Sequence, residues 1–322
     1  MNTGLSRRGL FGAGAAAASV LAGVSAASAA SAASAASAAP ATRGTSQMTL
    51  RWWGNNGWEI RVGTKTVLID PWLTRFKTGT YTPAGADPKT PLSVNEALID
   101  GYLDRGELRA DHILVTHGHY DHLTDVPYLA RRTGATVFGS ETHLSLMAAL
   151  GAPEDQLAIA SGGEDLTFDG YSIRILRSLH SATGTRARVP FPGSRTLSRR
   201  DRPRVIEDLV EGGTLAYAVS GGGASVLNFG GSNYVESELA GLHPDVVLLP
   251  VGGAKVTQYV PRLLRTLGNP RYVAATHWDD FDLPLGQAHD PNGGLEILRK
   301  AVAAASPASE FVVLDHLGSF VP

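Results

Sequence analysis

Short apolar-rich strand signals run over residues 48–54, 57–62 and 65–70, and the breaks between these runs, Asn55-Asn56-Gly57 and Gly63-Thr64, hold the residue types of tight turns. The pattern predicts a three-stranded meander. Residues 71–92 lose this periodicity and collect Pro, Gly and Thr, which predicts an irregular loop. The period then switches between helical and extended. It predicts a helix over 93–104, a strand over 112–116, a helix from about 123 to 132, a strand over 135–138 and a helix over 140–150.

After the turn at Gly162-Gly163, residues 165–168 and 171–178 alternate as a hairpin, and a second hairpin spans 214–219 and 224–229 across Gly221-Gly222-Gly223. Helices over 234–240, 256–267 and 293–304 then alternate with strands over 245–250, 271–276 and 310–314. Two similar halves of this kind predict a layered α/β sandwich, with no short repeat and no interdomain linker.

The run Thr116-His117-Gly118-His119-Tyr120-Asp121-His122 follows the apolar strand Ile113-Leu114-Val115 directly. Imidazole nitrogen and carboxylate oxygen are good ligands for zinc and similar dications. Residues two apart in an extended loop point the same way, so His117 and His119 can grip one ion. Asp121 and His122 follow where the chain turns into a helix, and their side chains can diverge toward a second ion. A lone histidine here would read as solvated; the H-x-H-x-D-H spacing behind an apolar strand argues for a metal site.

Composition changes this picture little. The chain has 322 residues, 43% hydrophobic and 18% charged, and a formal charge of −2, without the basic bias of a nucleic-acid binder. Its amino terminus differs from the rest. Ser6-Arg7-Arg8-Gly9-Leu10-Phe11 precedes a mildly apolar, Ala-rich run that ends in Ser-Ala-Ala repeats, the pattern of a twin-arginine export signal over residues 1–39. Cleavage could follow Ala27-Ser28-Ala29, Ala36-Ser37-Ala38 or a neighbouring site. The competing reading, an uncleaved anchor, is weakened by Gly12, Gly14 and the small residues around them. The expectation is a domain over 40–322 exported through the twin-arginine machinery to the cell envelope or medium, without a stable membrane span after cleavage. The chain has no cysteine, hence no disulfide and no lipid-attachment thiol.

Several segments together resemble the metallo-β-lactamase superfamily over nearly the whole chain beyond the leader. They are Leu50-Arg51-Trp52-Trp53-Gly54-Asn55-Asn56-Gly57-Trp58-Glu59-Ile60, Thr66-Val67-Leu68-Ile69-Asp70-Pro71-Trp72, the His117–His122 loop, Leu248-Leu249-Pro250-Val251-Gly252-Gly253 and Ala275-Thr276-His277-Trp278-Asp279-Asp280-Phe281. They look most like the branch with ascorbate-phosphate lactonase-like and N-acylphosphatidylethanolamine phospholipase-like proteins. The resemblance implies a four-layer αβ/βα sandwich with metals at one edge of the two sheets. It also implies that His180 and His277, each at a strand end, are the third and final histidines. The implied sites are His117, His119 and His180 for one ion, and Asp121, His122 and His277 for a second. Zn2+ is the default, as one or two ions, and Mn2+ or Fe also fits these donors.

The chain departs from the family at one position. Gly231 stands where a bridging aspartate is usual, and Ser232 follows it. That ligand set resembles one subclass of true β-lactamases, and it predicts a more weakly held second ion, because a bridging negative charge is missing between two dications. Asp279, Asp280, Asp282 and Asp290 could supply a replacement, although a loop role is favoured for them. Asp70 and Asp125 are candidates to orient the histidines.

The resemblance implies a hydrolase in which a metal-bound hydroxide attacks a lactone, phosphodiester or related ester, with Asp121 orienting the hydroxide and relaying its proton. β-Lactam cleavage is an alternative, as is a non-hydrolytic protein that binds metal or an anionic ligand. Residues 183–204 contain seven arginines and one acid and begin just past His180. Such a loop could overhang the metals and suit an anionic small-molecule substrate, or be a solvated excursion. Trp52, Trp53, Trp58 and Trp72 are expected mainly in the core.

Overall fold

Asn55 turns the chain in the left-handed region (φ 49°), a conformation that Asn tolerates better than most residues, and returns β1 (Met48–Gly54) against β2 (Gly57–Val62). β3 (Lys65–Ile69) completes an antiparallel meander. The computed structural model describes residues 47–322, so the expected leader over 1–39 lies outside the described residues.

Beyond the loop 71–92 come α1 (Glu96–Asp104), β4 (His112–Leu114), α2 (Tyr120–Leu123), α3 (Val126–Thr133), β5 (Thr136–Gly139), α4 (Glu141–Leu150) and β6 (Leu157–Ile159). The Asn95 side chain accepts from Leu98 N at 3.1 Å to start α1, and Ser140 caps α4 in a reciprocal box with His143. Strands β4, β5 and β6 extend the meander in parallel from β3.

The second half runs through β7 (Asp165–Phe168), β8 (Tyr171–Ser178), β9 (Thr214–Gly221), β10 (Ala224–Asn228), α5 (Glu236–Leu239), β11 (Val246–Pro250), α6 (Tyr259–Thr266), β12 (Tyr272–Thr276), α7 (Gly294–Ala305) and β13 (Glu310–Val312). β14 (Ser319–Phe320) crosses back to pair with β1. The result is two mixed seven-stranded sheets, ordered β14-β1-β2-β3-β4-β5-β6 and β13-β12-β11-β10-β9-β8-β7.

Leu50, Trp52, Trp58, Ile60 and Ile69 of the first sheet share one buried cluster with Ile173, Ile175, Tyr217, Val219 and Leu227 of the second. That cluster continues through the second sheet to Leu263, Leu264, Leu298 and Val302 on α6 and α7. The opposite face of the first sheet, with Leu68, Ile113 and Val137, packs on Leu123, Leu129, Leu144 and Met147 from α2 to α4. Helices thus cover the outer face of each sheet, giving the expected four-layer αβ/βα sandwich. All four early tryptophans are buried, as expected of core residues.

Three details differ from expectation. The helix expected over 123–132 is broken into α2 and α3, because Pro127 has no N–H to continue the α2 ladder and instead occupies the first turn of α3. β6 and β14 were not predicted: runs of three and two residues carry no readable period. Among the described residues no helix is long and apolar enough to cross a membrane.

Candidate metal centre

β3, β4, β8, β10 and β12 all end at the same edge of the sandwich, and their following loops supply the site. Past β4 the chain runs extended through His119, which sits at the N-cap of α2 (φ −67°, ψ 159°) with no side-chain capping bond. Gly118 lies between the first two histidines, where a Cβ would collide with the Val210 carbonyl oxygen and its N–H donates to Glu211 O at 2.9 Å. Only glycine admits this approach of the 210–211 backbone. His180 comes from the loop after β8, and His277 follows β12 directly.

The structure gathers all six residues expected from the sequence into two clusters. His117, His119 and His180 form one; Asp121, His122 and His277 form the other, and within each cluster one potential donor atom per residue lies within 4.8 Å of the others. Neighbouring groups bond one nitrogen of several of these rings. His119 Nε2 bonds the Pro190 carbonyl at 2.9 Å, His180 Nδ1 bonds the Ser181 carbonyl at 2.7 Å, and His122 Nδ1 bonds Asp70 Oδ2 at 2.6 Å. His117 Nδ1 lies 3.1 Å from Thr116 Oγ1, while its Nε2 is buried without a partner. Asp121 Oδ2 faces His122 Nε2 at 3.2 Å and His277 Nε2 at 3.3 Å, and accepts from Asn55 Nδ2 at 3.2 Å.

Backbone strain collects at the same edge. Asn55 (φ 49°), Asp70 (φ 42°) and His277 (φ 52°) all adopt left-handed conformations, each at a cost of about 1–3 kcal/mol that the packed surroundings must offset. His277 N donates to Asn55 O at 2.8 Å, so two of these residues fix each other.

The electrostatics divide the clusters. Burial, followed by the nearby His122, His180 and His119, holds the His117 imidazole well below its ordinary value. Burial and His180 bring His119 down to about 3, and burial also lowers His180. The first cluster therefore consists of neutral imidazoles, the form that binds a metal. Burial opposes a charge on His122 too, but Asp121 and Asp70 on its two sides push it up to about 10. Asp121, which burial alone would raise, is held well below the carboxylate range by His122 and then His277.

The two candidate orienting acids separate. Asp70 binds His122; Asp125 accepts from Leu73 N (2.6 Å), Thr74 N (2.8 Å) and Thr74 Oγ1 (2.6 Å) and serves the loop 71–92 instead. No replacement for the family's bridging aspartate appears among the four later acids. Asp279 accepts from Asn55 N, Arg75 and His316, Asp282 from Thr78 and Gly79, and Asp290 from the first turn of α7, while an Asp280 oxygen accepts from Asp282 N. A Cβ on Gly231 would lie 3.1 Å from Ser181 N and 3.2 Å from Ser181 Oγ, so the loop after His180 fills the space of a side chain there. Ser232 lies beside it, but its hydroxyl donates to Val251 O at 2.5 Å.

Asn55, Asn56, Thr116 and His143 belong to the site's surroundings and were missed from sequence. The two asparagines read only as turn residues. Asn56 nevertheless donates to Asp70 Oδ2 at 2.7 Å, and His143 Nε2 bonds Glu211 O at 3.1 Å beside the Gly118 contact.

A sandwich of two mixed sheets with an H-x-H-x-D-H loop and two strand-end histidines at one edge defines a class, and the chain belongs to the metallo-β-lactamase superfamily: residues 49–277 match the family described as the β-lactamase superfamily domain. It is 30% identical over 276 residues to a UPF0173 metal-dependent hydrolase of Myxococcus xanthus (strain DK1622), a match covering 83% of this chain and 82% of that one. Among solved structures it resembles Igni18, a metallo hydrolase of Ignicoccus hospitalis KIN4/I, with TM-score 0.54, 20% identity, and coverage of 86% of this chain and 98% of that one. It also resembles CmlA, a diiron β-hydroxylase of Streptomyces venezuelae, with TM-score 0.53, 15% identity, and coverage of 86% and 54%. At these identities the structural likeness concerns the fold, and one fold that carries both a hydrolase and a hydroxylase does not by itself set the reaction.

Proposed function

We propose that the chain is an exported metal-dependent hydrolase that cleaves an ester-type bond, with lactones and phosphodiesters as the substrate classes suggested by its resemblance to the lactonase-like and phospholipase-like branch. The observation that carries this reading is the buried, partnerless Nε2 of His117, in a cluster whose other two histidines each have one nitrogen bonded to a backbone carbonyl. An unpaired buried nitrogen costs about 1–3 kcal/mol, which a bound cation removes. The donor set fits a metal ion on that ground and on its chemistry.

His117, His119 and His180 would hold one ion, and Asp121, His122 and His277 a second, with Zn2+ as the default and Mn2+ or Fe compatible with the same donors. When bound there, such an ion would supply Lewis acidity toward the electrophilic oxygen and toward water. The chain supplies the rest. Asp70 accepts the Nδ1 proton of His122 and fixes that ring, and Asn55 steadies the Asp121 carboxylate. Asp121 orients the attacking water and accepts its proton. With Gly231 in place of a bridging carboxylate, the second cluster would hold its ion more weakly than the first.

Elemental analysis of the folded protein, purified with and without Asp121→Ala, tests the metal assignment. Two ions falling to one in the variant support both sites; one ion unaffected by the variant assigns metal to the three histidines alone. Ester or lactone hydrolysis that disappears on chelation and in His119→Ala supports the enzyme. Metal-dependent ligand binding without product, with β-lactams among the compounds tested, points to the binding alternative.

A further inference from the structure

A cavity of about 860 Å3 opens over the two clusters and is lined by all six of their residues. This is ample for a small organic ligand. Its other walls are mainly apolar. The Phe191 ring centroid lies 5.9 Å from that of His119, and Phe281 lies 5.6 Å from His277, so an aromatic ring flanks each cluster. Ile297, Leu298 and Ala301 on α7 line the same cavity, and Ile297 is 70% exposed, the most exposed large hydrophobic side chain among the described residues.

The arginines expected to recognise an anion are elsewhere. The loop 183–204 does reach the cavity, through Thr183, Pro190 and Phe191, but none of its seven arginines lines it. Arg199 pairs with Asp201, Arg200 with Glu154, and Arg195 with Asp201 and Ser145. Beyond the six clustered residues, Lys255 is the one charged side chain on the wall among the described residues. A phosphoryl or polycarboxylate group away from the reacting centre would need several such cations.

The Arg-rich loop is also pinned in place. The Pro190 carbonyl holds His119 Nε2 at 2.9 Å, and the adjacent Phe191 O accepts from Glu211 N at 2.9 Å. Phe191 is thus a wall fixed to the metal centre.

We propose that the substrate is an uncharged carboxylic ester or lactone bearing an aliphatic chain of medium length, which lies between Phe191 and Phe281 and extends along Ile297 and Leu298. This deepens the hydrolase reading and rests on it. The step is balanced by water alone: the acyl carbon–oxygen bond breaks, the water oxygen joins the acyl carbon, and the leaving alkoxide takes up a proton.

The test uses the metal-loaded protein in two measurements. kcat/KM is compared across p-nitrophenyl acetate, butyrate and octanoate and for bis(p-nitrophenyl) phosphate; separately, calorimetry follows binding of butanol, hexanol and octanol, which needs no turnover. We expect kcat/KM to rise at least tenfold from acetate to octanoate, alcohol affinity to rise by up to roughly fourfold per methylene, and Ile297→Glu to collapse both gradients. Equal rates across the esters with no alcohol binding overturn the proposal and leave the hydrolase intact. Faster cleavage of the phosphodiester than of every carboxylic ester also overturns it. Graded alcohol binding without cleavage of any ester leaves the apolar pocket standing and removes the hydrolase reading. Sedimentation of Ile297→Glu beside the native chain covers the rival occupant: a dimer lost in the variant would make Ile297 a contact between copies and overturn its role as a chain-binding wall.

Discussion

One carboxylate, Asp70, serves four donors at the metal edge: Thr116 N at 2.7 Å, Thr116 Oγ1, Asn56 Nδ2 at 2.7 Å and His122 Nδ1 at 2.6 Å. Asp125 is equally buried and equally well bonded, but it faces the loop after β3. Asp70→Ala should therefore weaken metal binding at the Asp121-His122-His277 cluster by about 10–100-fold, whereas Asp125→Ala should destabilise the fold by about 1–3 kcal/mol with little change in metal affinity. Titration with a metal indicator beside thermal unfolding separates the two. Equal loss of affinity in both variants would remove Asp70 from its orienting role. In sequence the two acids were indistinguishable, because each is an aspartate near a predicted element end and the contact that separates them is formed across the sheet. Glu59 poses the opposite case. Its side chain is 1% exposed, with Arg61 Nε at 2.5 Å and Oε2 unpartnered. Burial raises its carboxyl above 4.5 against the pull of Arg61 and Arg51. Folding thus favours the protonated form, and Glu59 subtracts stability as pH rises from its unfolded value through its folded one. The Tm of Glu59→Gln relative to that of the native chain should rise as pH climbs from about 4 to about 7 at constant ionic strength; parallel pH profiles would disprove the effect.

At the scale of elements, the centre depends on loops braced by charges outside the two clusters. Arg75 from the loop 71–92 and His316 before β14 both bind Asp279 just past β12, at 2.7 Å each, and Arg75 and Asp279 have no exposed side-chain surface. His316 and Arg75 hold the Asp279 carboxyl down at about 2 although burial opposes it. Removing this acceptor strands a buried guanidinium, so Asp279→Ala should lower unfolding free energy by about 3–5 kcal/mol, read by denaturant titration; a loss under about 1 kcal/mol would show that water reaches Arg75. Along the chain Asp279 has only a loop role to show, since its partners Arg75 and His316 lie far from it in sequence. The same limit explains which elements were legible. β7 and β8 alternate over full strands and were placed to the residue, while β6 and β14 owe their existence to pairing with β5 and β1. The five clustered histidines and Asp121 were legible for a different reason: their spacing and strand-end positions are local, and the resemblance supplied the pairing of distant His180 and His277 with the loop.

At the scale of the whole molecule, the two clusters draw on both sheets. His117, His119, Asp121 and His122 follow β4 of the first, while His180 and His277 follow β8 and β12 of the second. Neither cluster is complete until the sheets have docked, so the proposed metal loading would be linked to folding. That linkage bears on the proposed export route. A twin-arginine pathway moves proteins that have already folded, and a centre assembled across two sheets can receive its ion before crossing the membrane. The proposal of that route rests on Ser6-Arg7-Arg8-Gly9-Leu10-Phe11, outside the described residues. Replacing Arg7 and Arg8 together by lysine preserves the charge and removes the paired guanidinium groups. The expected outcome in the native host is accumulation of the full-length chain inside the cell, folded and carrying as much metal as the exported form, measured by fractionation, limited proteolysis and elemental analysis. Undiminished export of the double variant would refute the twin-arginine assignment. Export lost together with metal would instead show that the ion is acquired outside, and that the sheets dock without it.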